Sequence, residues 1–335
     1  MNVLKLVIYP AIDSDRLGKI VTAAGSMSVK NTHSEVEALA EIVDAEAFLG
    51  QINKKILSAA HNLCWVQTVT ASLENYIFPE LIEHPCRLTN TRGLYSDVVA
   101  DHAFGYLLCF ARNFHIYIRR QMESRWEAAG GELERPSISM GQVKVGPIDR
   151  AHIHLGSMVL GIVGLGSIGS EIARRGLSCG MRVMAVDPVK TKTSQDIDLW
   201  TPERLPDLLS KSDFVVISAP HTPQTEKLFR RTQFLQMKRT AYLINVGRGM
   251  IVDLKDLTTA LKSGTISGAG LDVFELEPLP AKHPLWKMEN VIITPHVGSS
   301  ATCIALRHLE FLLDNVARFS QGKNLRNLVD KEKWF

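Results

Sequence analysis

Val163-Gly164-Leu165-Gly166-Ser167-Ile168-Gly169 is the stretch on which the fold turns. It carries the spacing G-x-G-x-x-G. An apolar run, residues 158–163, precedes it, and a helix-like run, residues 169–178, follows. In that setting each glycine has a task. Gly164 permits a tight turn, Gly166 lets the backbone approach a pyrophosphate, and Gly169 lets helix and strand pack closely. The helix N-terminus adds N–H donors and a positive dipole. A second strand, residues 181–186, ends at Asp187, 18 residues past Gly169. An acid at that place accepts hydrogen bonds from a ribose hydroxyl pair and repels a 2′-phosphate. The pattern predicts a dinucleotide site that takes NAD. Lys190 and Lys192 lie nearby and pull the other way.

The alternation continues outward. Downstream, strands are read at residues 214–218, 241–246, 270–273 and 291–294. Helices are read at 202–210, 226–237, 254–262 and from about 299 to 320. Upstream, strands are read at 4–9, 47–49, 63–69 and 87–89, with helices at 13–24, 35–43 and 56–61. One long helix is expected from about Ser96 to Trp126. An irregular stretch from Gly130 to Arg150 then reads as a long surface loop. Strand and helix in turn, with short connections, predict the α/β class, with two doubly wound parallel sheets. A length of 335 residues suits about two domains.

The composition bounds the function. With 45% hydrophobic and 22% charged residues, the chain builds sizeable cores, which excludes a disordered or collagen-like protein. Net charge is +3, and no dense basic run concentrates it, so no nucleic-acid partner is expected. No stretch approaches the ~20 apolar residues of a membrane span. Residues 1–10 lack a basic n-region and a cleavage site, and read as a first strand rather than a signal. The five cysteines, Cys64, Cys86, Cys109, Cys179 and Cys303, form no Cys-x-x-Cys. They read as buried, reduced thiols of a cytoplasmic protein. No histidine spacing suggests a metal; His152 and His154 read as surface residues.

Three strand ends carry candidate chemistry. Asn245-Val246-Gly247-Arg248-Gly249 places an arginine between glycines, where it can grip a carboxylate with two parallel bonds. Leu271-Asp272-Val273-Phe274-Glu275-Leu276-Glu277-Pro278 places three acids at the next strand end. Thr294-Pro295-His296-Val297-Gly298 places a histidine at the one after. Histidine exchanges protons near neutral pH, and a carboxylate on its second nitrogen fixes the tautomer. A lone histidine or arginine at a strand end is an ordinary surface feature. Arg, Glu and His together, after a dinucleotide fingerprint, make a candidate catalytic set.

These segments, with Ser218-Ala219-Pro220-His221-Thr222-Pro223-Gln224-Thr225 and Ile251-Val252-Asp253, run in order over about 135 residues. Together they resemble the D-isomer-specific 2-hydroxyacid dehydrogenase family. Trp65-Val66-Gln67-Thr68 and Thr91-Arg92-Gly93-Leu94-Tyr95-Ser96 match it more loosely. The resemblance implies a Rossmann NAD-binding domain, residues 103–300, inserted into a flavodoxin-like substrate domain made of 1–102 and 301–335. It implies that Arg248 binds the substrate carboxylate and carbonyl oxygen, that His296 is the general acid/base, and that Glu277 pairs with it. Gly164, Gly166, Ser167, Ile168 and Gly169 would hold the pyrophosphate. Asp187, Pro220, Val246, Gly247 and Asp272 would line the rest of the cofactor, Asp272 at the nicotinamide carboxamide. Backbone N–H groups of the turn at Ser72 and Leu73 would take the substrate carboxylate. There the chain departs from the family, which usually has Gly and Asp where Ser72 and Glu74 stand; a positive φ at Ser72 would be costly.

The implied activity is reversible hydride transfer between NAD(H) and a small anionic 2-oxo or D-2-hydroxy acid, with glyoxylate or hydroxypyruvate favoured. A homodimer through the nucleotide domain is implied too. Two other readings stay open: a nucleotide-sensing, corepressor-like protein on the same scaffold, and phosphite oxidation. Glu277 beside His296 disfavours formate, whose dehydrogenases carry Gln there.

Overall fold

The computed structural model describes residues 3–131 and 145–335. It divides into two compact units, Met1–Tyr95 with Ala301–Phe335, and Ser96–Ser300.

In the first unit, strands β1 (Lys5–Tyr9), β2 (Ser28–Asn31), β3 (Ala47–Gly50), β4 (Trp65–Gln67) and β5 (Arg87–Thr89) form a parallel sheet in the order β2-β1-β3-β4-β5. This is the flavodoxin-like order. Helices α1 (Ser14–Ala24), α2 (Glu35–Glu41), α3 (Lys54–Ala59) and α4 (Pro79–Glu83) connect the strands. Successive strand residues point to opposite faces, and here both faces are apolar. Val7, Phe48 and Val66 join one core; Leu6, Ile8, Leu49 and Trp65 join the other. A sheet covered on both sides reads as continuous apolar runs, which is why β1 and β3 are plain in the sequence. The C-terminal helix, Ile304–Ser320, closes the second face with Phe311, Leu312, Val316 and Phe319.

The second unit begins with helices α5 (Ser96–Ala111), α6 (Phe114–Met122) and α7 (Pro147–Ala151). Strands β6 (Val159–Val163), β7 (Arg182–Val186), β8 (Asp198–Trp200), β9 (Phe214–Ile217), β10 (Tyr242–Asn245), β11 (Gly268–Leu271) and β12 (Val291–Ile293) follow. Helices α8 (Ser167–Ser178), α9 (Leu205–Lys211), α10 (Arg231–Gln236) and α11 (Leu254–Lys262) cross between them. All strand pairs are parallel, in the order β12-β11-β10-β9-β6-β7-β8. Counted from β6, that is the Rossmann order with one strand added. β6 pairs with both β7 and β9, so the turn after it lies where the strand order reverses. Open α/β sheets bind ligands at that point.

Several elements differ from expectation. The helix expected over 96–126 is two helices. Asn113 breaks it by taking the left-handed conformation (φ 57°), and its side-chain amide donates to the Ala151 carbonyl at 2.7 Å. Strands β2 and β8 escape the apolar reading because they are edge strands, and Ser28-Val29-Lys30-Asn31 has no apolar run. Helix α4 is also an addition. The helix expected over 226–237 shortens to α10, and the C-terminal helix starts at Ile304 rather than near 299. Within the stretch read as irregular, α7 is helical, and Asp149 accepts from the Gly146 N–H at 2.7 Å; residues 132–144 of it lie outside the described residues. Of the thiols only Cys86 is buried. Cys64 and Cys179 are exposed, because one precedes β4 and the other follows α8. Among the described residues no helix is long and apolar enough to cross a membrane.

Candidate active site

The turn after β6 is built by steric necessity. Gly164 has φ +93°, and a Cβ there would lie 2.8 Å from the Ala219 backbone. A Cβ on Gly169 would meet the Gly164 carbonyl oxygen at 2.1 Å. Ser218 donates to that same oxygen at 2.8 Å and pins the turn to the end of β9. Gly166 differs: nothing lies within 4 Å of its added Cβ. It is the N-cap of α8 and, as glycine, brings no side chain to that helix end. Open space beside the N–H groups of Ser167 and Ile168 fits a pyrophosphate. Asp187 stands beside the turn. One carboxylate oxygen accepts from the Leu165 N–H (2.8 Å), the other from Val189 (2.9 Å) and Lys190 (2.7 Å). The Lys190 ammonium is turned onto α8, bonding Ser170 Oγ at 2.9 Å and the Leu165 carbonyl at 3.3 Å. Pro220 is exposed after β9, and its carbonyl accepts from the Thr225 hydroxyl.

Arg248 sits on a clamped loop after β10. Asn245, 1% exposed, accepts from the Gly247 N–H at 3.1 Å and donates to the Arg248 carbonyl at 3.0 Å. A Cβ on Gly247 would lie 2.7 Å from the Ala219 oxygen, and one on Gly249 would lie 1.9 Å from the Phe274 carbonyl carbon. The loop is thus wedged between the segments that follow β9 and β11. Val246 is buried, and the half-buried Arg248 donates from Nη1 to the Gly247 carbonyl at 2.7 Å.

Beyond β11 and β12, Glu277 and His296 meet. Glu277 Oε2 lies 2.7 Å from His296 Nδ1, and Oε1 accepts from the Phe274 N–H at 2.9 Å. A carboxylate accepts only, so Nδ1 carries the proton and Nε2 is left for exchange. The His296 side chain is 44% exposed. Its backbone is left-handed (φ 53°), and its N–H donates to the Asp272 carbonyl at 2.9 Å. The Asp272 carboxylate is buried and accepts from the N–H groups of Val297 (2.9 Å) and Gly298 (2.8 Å). The third acid of that segment, Glu275, is structural: it pairs with Lys227 at 3.2 Å and accepts from the Leu254 N–H at 2.9 Å.

In the other unit, the turn after β4 holds Ser72 and Leu73. Thr70 Oγ1 donates to the Ser72 carbonyl at 2.6 Å, and the Asn90 amide to that of Ala71 at 2.7 Å. Ser72 has no positive φ, so the expected strain does not arise. Leu73 is 2% exposed as a whole residue, and its side chain belongs to the core of this unit. Asn245 was not singled out from sequence; an amide closing an apolar strand before Gly-x-Gly was its signal. Thr294, which donates to Asp272, and His102, which bonds Thr294, gave none.

Residues 104–298 match the family model of the D-isomer specific 2-hydroxyacid dehydrogenase NAD binding domain. The chain belongs to that family. A glyoxylate reductase of Korarchaeum cryptofilum is 35% identical to this dehydrogenase over 306 residues, 91% of this chain and 84% of that protein. The glyoxylate/hydroxypyruvate reductase B of Salmonella newport is 30% identical over 334 residues, 98% of each chain. The crystal structure of a D-isomer specific 2-hydroxyacid dehydrogenase from Xanthobacter autotrophicus Py2, in complex with NADPH and MES, has a TM-score of 0.78 at 26% identity and covers 100% of both chains. The protein is accordingly an oxidoreductase of CH–OH carbons that uses a nicotinamide cofactor.

Proposed function

We propose that this dehydrogenase reversibly reduces a small 2-oxo acid, of glyoxylate or hydroxypyruvate size, to the D-2-hydroxy acid, with NAD(H). The observation that carries the reading is the Glu277–His296 pair at 2.7 Å on a turn anchored by Asp272. The nicotinamide, when bound, supplies or accepts the hydride at C2. Arg248 orients the substrate through its carboxylate and polarises the carbonyl. His296, protonated, gives the Nε2 proton to the forming alkoxide, and Glu277 stabilises the imidazolium. We assign further carboxylate contacts to the N–H groups of Ser72 and Leu73, with residues 1–102 and 301–335 as substrate domain and 103–300 as NAD domain. The relative from Xanthobacter was crystallised with NADPH. For this chain we favour NAD, because the Asp187 carboxylate is held in place by three backbone N–H groups and would repel a 2′-phosphate. Five free thiols accord with a cytoplasmic setting.

The test is an NADH-oxidation screen over glyoxylate, hydroxypyruvate, pyruvate and bulkier 2-oxo acids. Turnover on the two smallest, with higher kcat/KM for NADH than for NADPH, is expected. His296→Ala and Arg248→Ala should each abolish turnover while NADH still quenches protein fluorescence. Near-normal kcat/KM in both variants, or no turnover on any 2-oxo acid, overturns the assignment.

A further inference from the structure

We propose that Thr294, His102 and Tyr106 are positioning residues that act through Asp272 to hold the His296 turn. The hydrogen bonds have one consistent direction. The Thr294 hydroxyl lies 2.5 Å from Asp272 Oδ1. A carboxylate accepts only, so Thr294 donates its single proton there. The Thr294 oxygen must then accept from both its other neighbours, the Tyr106 hydroxyl at 2.5 Å and His102 Nε2 at 2.9 Å. That fixes His102 with its proton on Nε2, a proton that also faces the Tyr106 oxygen at 3.2 Å. Burial pushes the Tyr106 hydroxyl far above the usual tyrosine range, which keeps it a donor. The three side chains thus feed protons one way, toward the carboxylate of a side chain only 5% exposed.

Asp272 then distributes that support. Its carboxylate holds the Val297 and Gly298 N–H groups, and its main-chain carbonyl holds that of His296. A Cβ on Gly298 would come within 2.8 Å of Asp272 Oδ2, so only glycine lets the carboxylate approach both amides. These bonds enclose the one residue of the pair that is forced left-handed, His296 at φ 53°. A histidine held so leaves that conformation when its neighbours are released. The donors lie on α5 and at the end of β12, so the turn is braced from α5.

The role in turnover rests on the reading of His296 given above; the brace itself does not. The experiment therefore has an arm without substrate. Amide exchange of Val297 and Gly298 is followed in the full chain for Thr294→Val, Thr294→Ser, His102→Leu and His102→Gln. Serine keeps the hydroxyl, and glutamine keeps an N–H donor. The expected result is exchange about tenfold faster in the Val and Leu variants, the scale of one lost buried hydrogen bond. Their kcat should fall by a similar factor with KM for the 2-oxo acid little changed. Ser and Gln should restore both. Wild-type protection and kcat in Thr294→Val, or losses that serine does not restore, overturn the proposal. Were His296→Ala fully active, the proposed function would fail while the exchange arm still judged the brace.

Discussion

A methyl group added at Gly249 would sit 1.9 Å from the Phe274 carbonyl carbon; one added at Gly166 would touch nothing within 4 Å. Gly249→Ala must push two backbone segments apart, so it should cost about 2–3 kcal/mol. It should also abolish turnover by displacing Arg248. Gly166→Ala should leave the melting temperature unchanged, because its φ of −68° suits alanine, yet raise the Kd for the dinucleotide. Thermal melts and fluorescence titration separate the two; an unstable Gly166→Ala or a normally active Gly249→Ala would contradict the argument. These glycines are legible in sequence because their constraint is the backbone's own geometry. Thr294 and His102 are not, because their bond joins residues 192 positions apart and neither is unusual in its local stretch. Local pattern shows the acids at 272–277 only as a group; the resemblance assigns Glu277 to His296 and Asp272 to the cofactor, and leaves Glu275 without a role. Glu275 is committed to Lys227 and Glu277 to His296 by where β11, α11 and β12 end in space.

At the scale of elements, α11 shows a cap that sequence and structure share. Asp253 Oδ1 accepts from the Asp256 N–H at 3.1 Å, and Oδ2 pairs with Lys227 at 3.1 Å. That N–H first, and Lys227 with it, hold the Asp253 carboxyl below its ordinary value of 3.8. Asp253→Ala should cost about 1 kcal/mol near neutral pH. The folded-state pKa is lowered, so the ionised cap stabilises above the ordinary value and loses its effect as pH falls through the folded one. The gap between wild type and variant in urea melts should therefore narrow as pH drops below 3.8; a constant gap would contradict the cap. The break between α5 and α6 is the opposite case. No Gly or Pro marks it, and the apolar residues run on through Arg112-Asn113. Asparagine tolerates the left-handed region, and two bonds to the end of α7 and the segment after it hold the turn: the Asn113 amide to the Ala151 carbonyl and the Ile153 N–H to the Ala111 carbonyl at 2.9 Å.

At the scale of the molecule, α6 buries none of its residues. Phe114, Ile118 and Met122, at helical spacing, are 50%, 59% and 83% exposed, and Trp126 beyond them is 95% exposed. A stripe of that kind fits a surface for another protein. We propose that it serves the homodimer that the resemblance implies through this domain. Light scattering should give a dimer for the wild type and a monomer for Ile118→Glu; a wild-type monomer at micromolar concentration would remove the proposal. By itself the sequence determined the α/β class, the nucleotide turn and the strand ends that bear Arg248, Glu277 and His296. Those features come from short-range causes: strands apolar on both faces, glycines required by local sterics, and loops that follow strand ends. Tertiary structure alone decided the edge strands β2 and β8, the turn at Asn113, and the commitment of Glu275 to Lys227 and Leu254. It also decided that Thr294 and His102 converge on Asp272. Each of these depends on partners far along the chain, and no local pattern records a contact whose two sides meet only after the sheet is assembled.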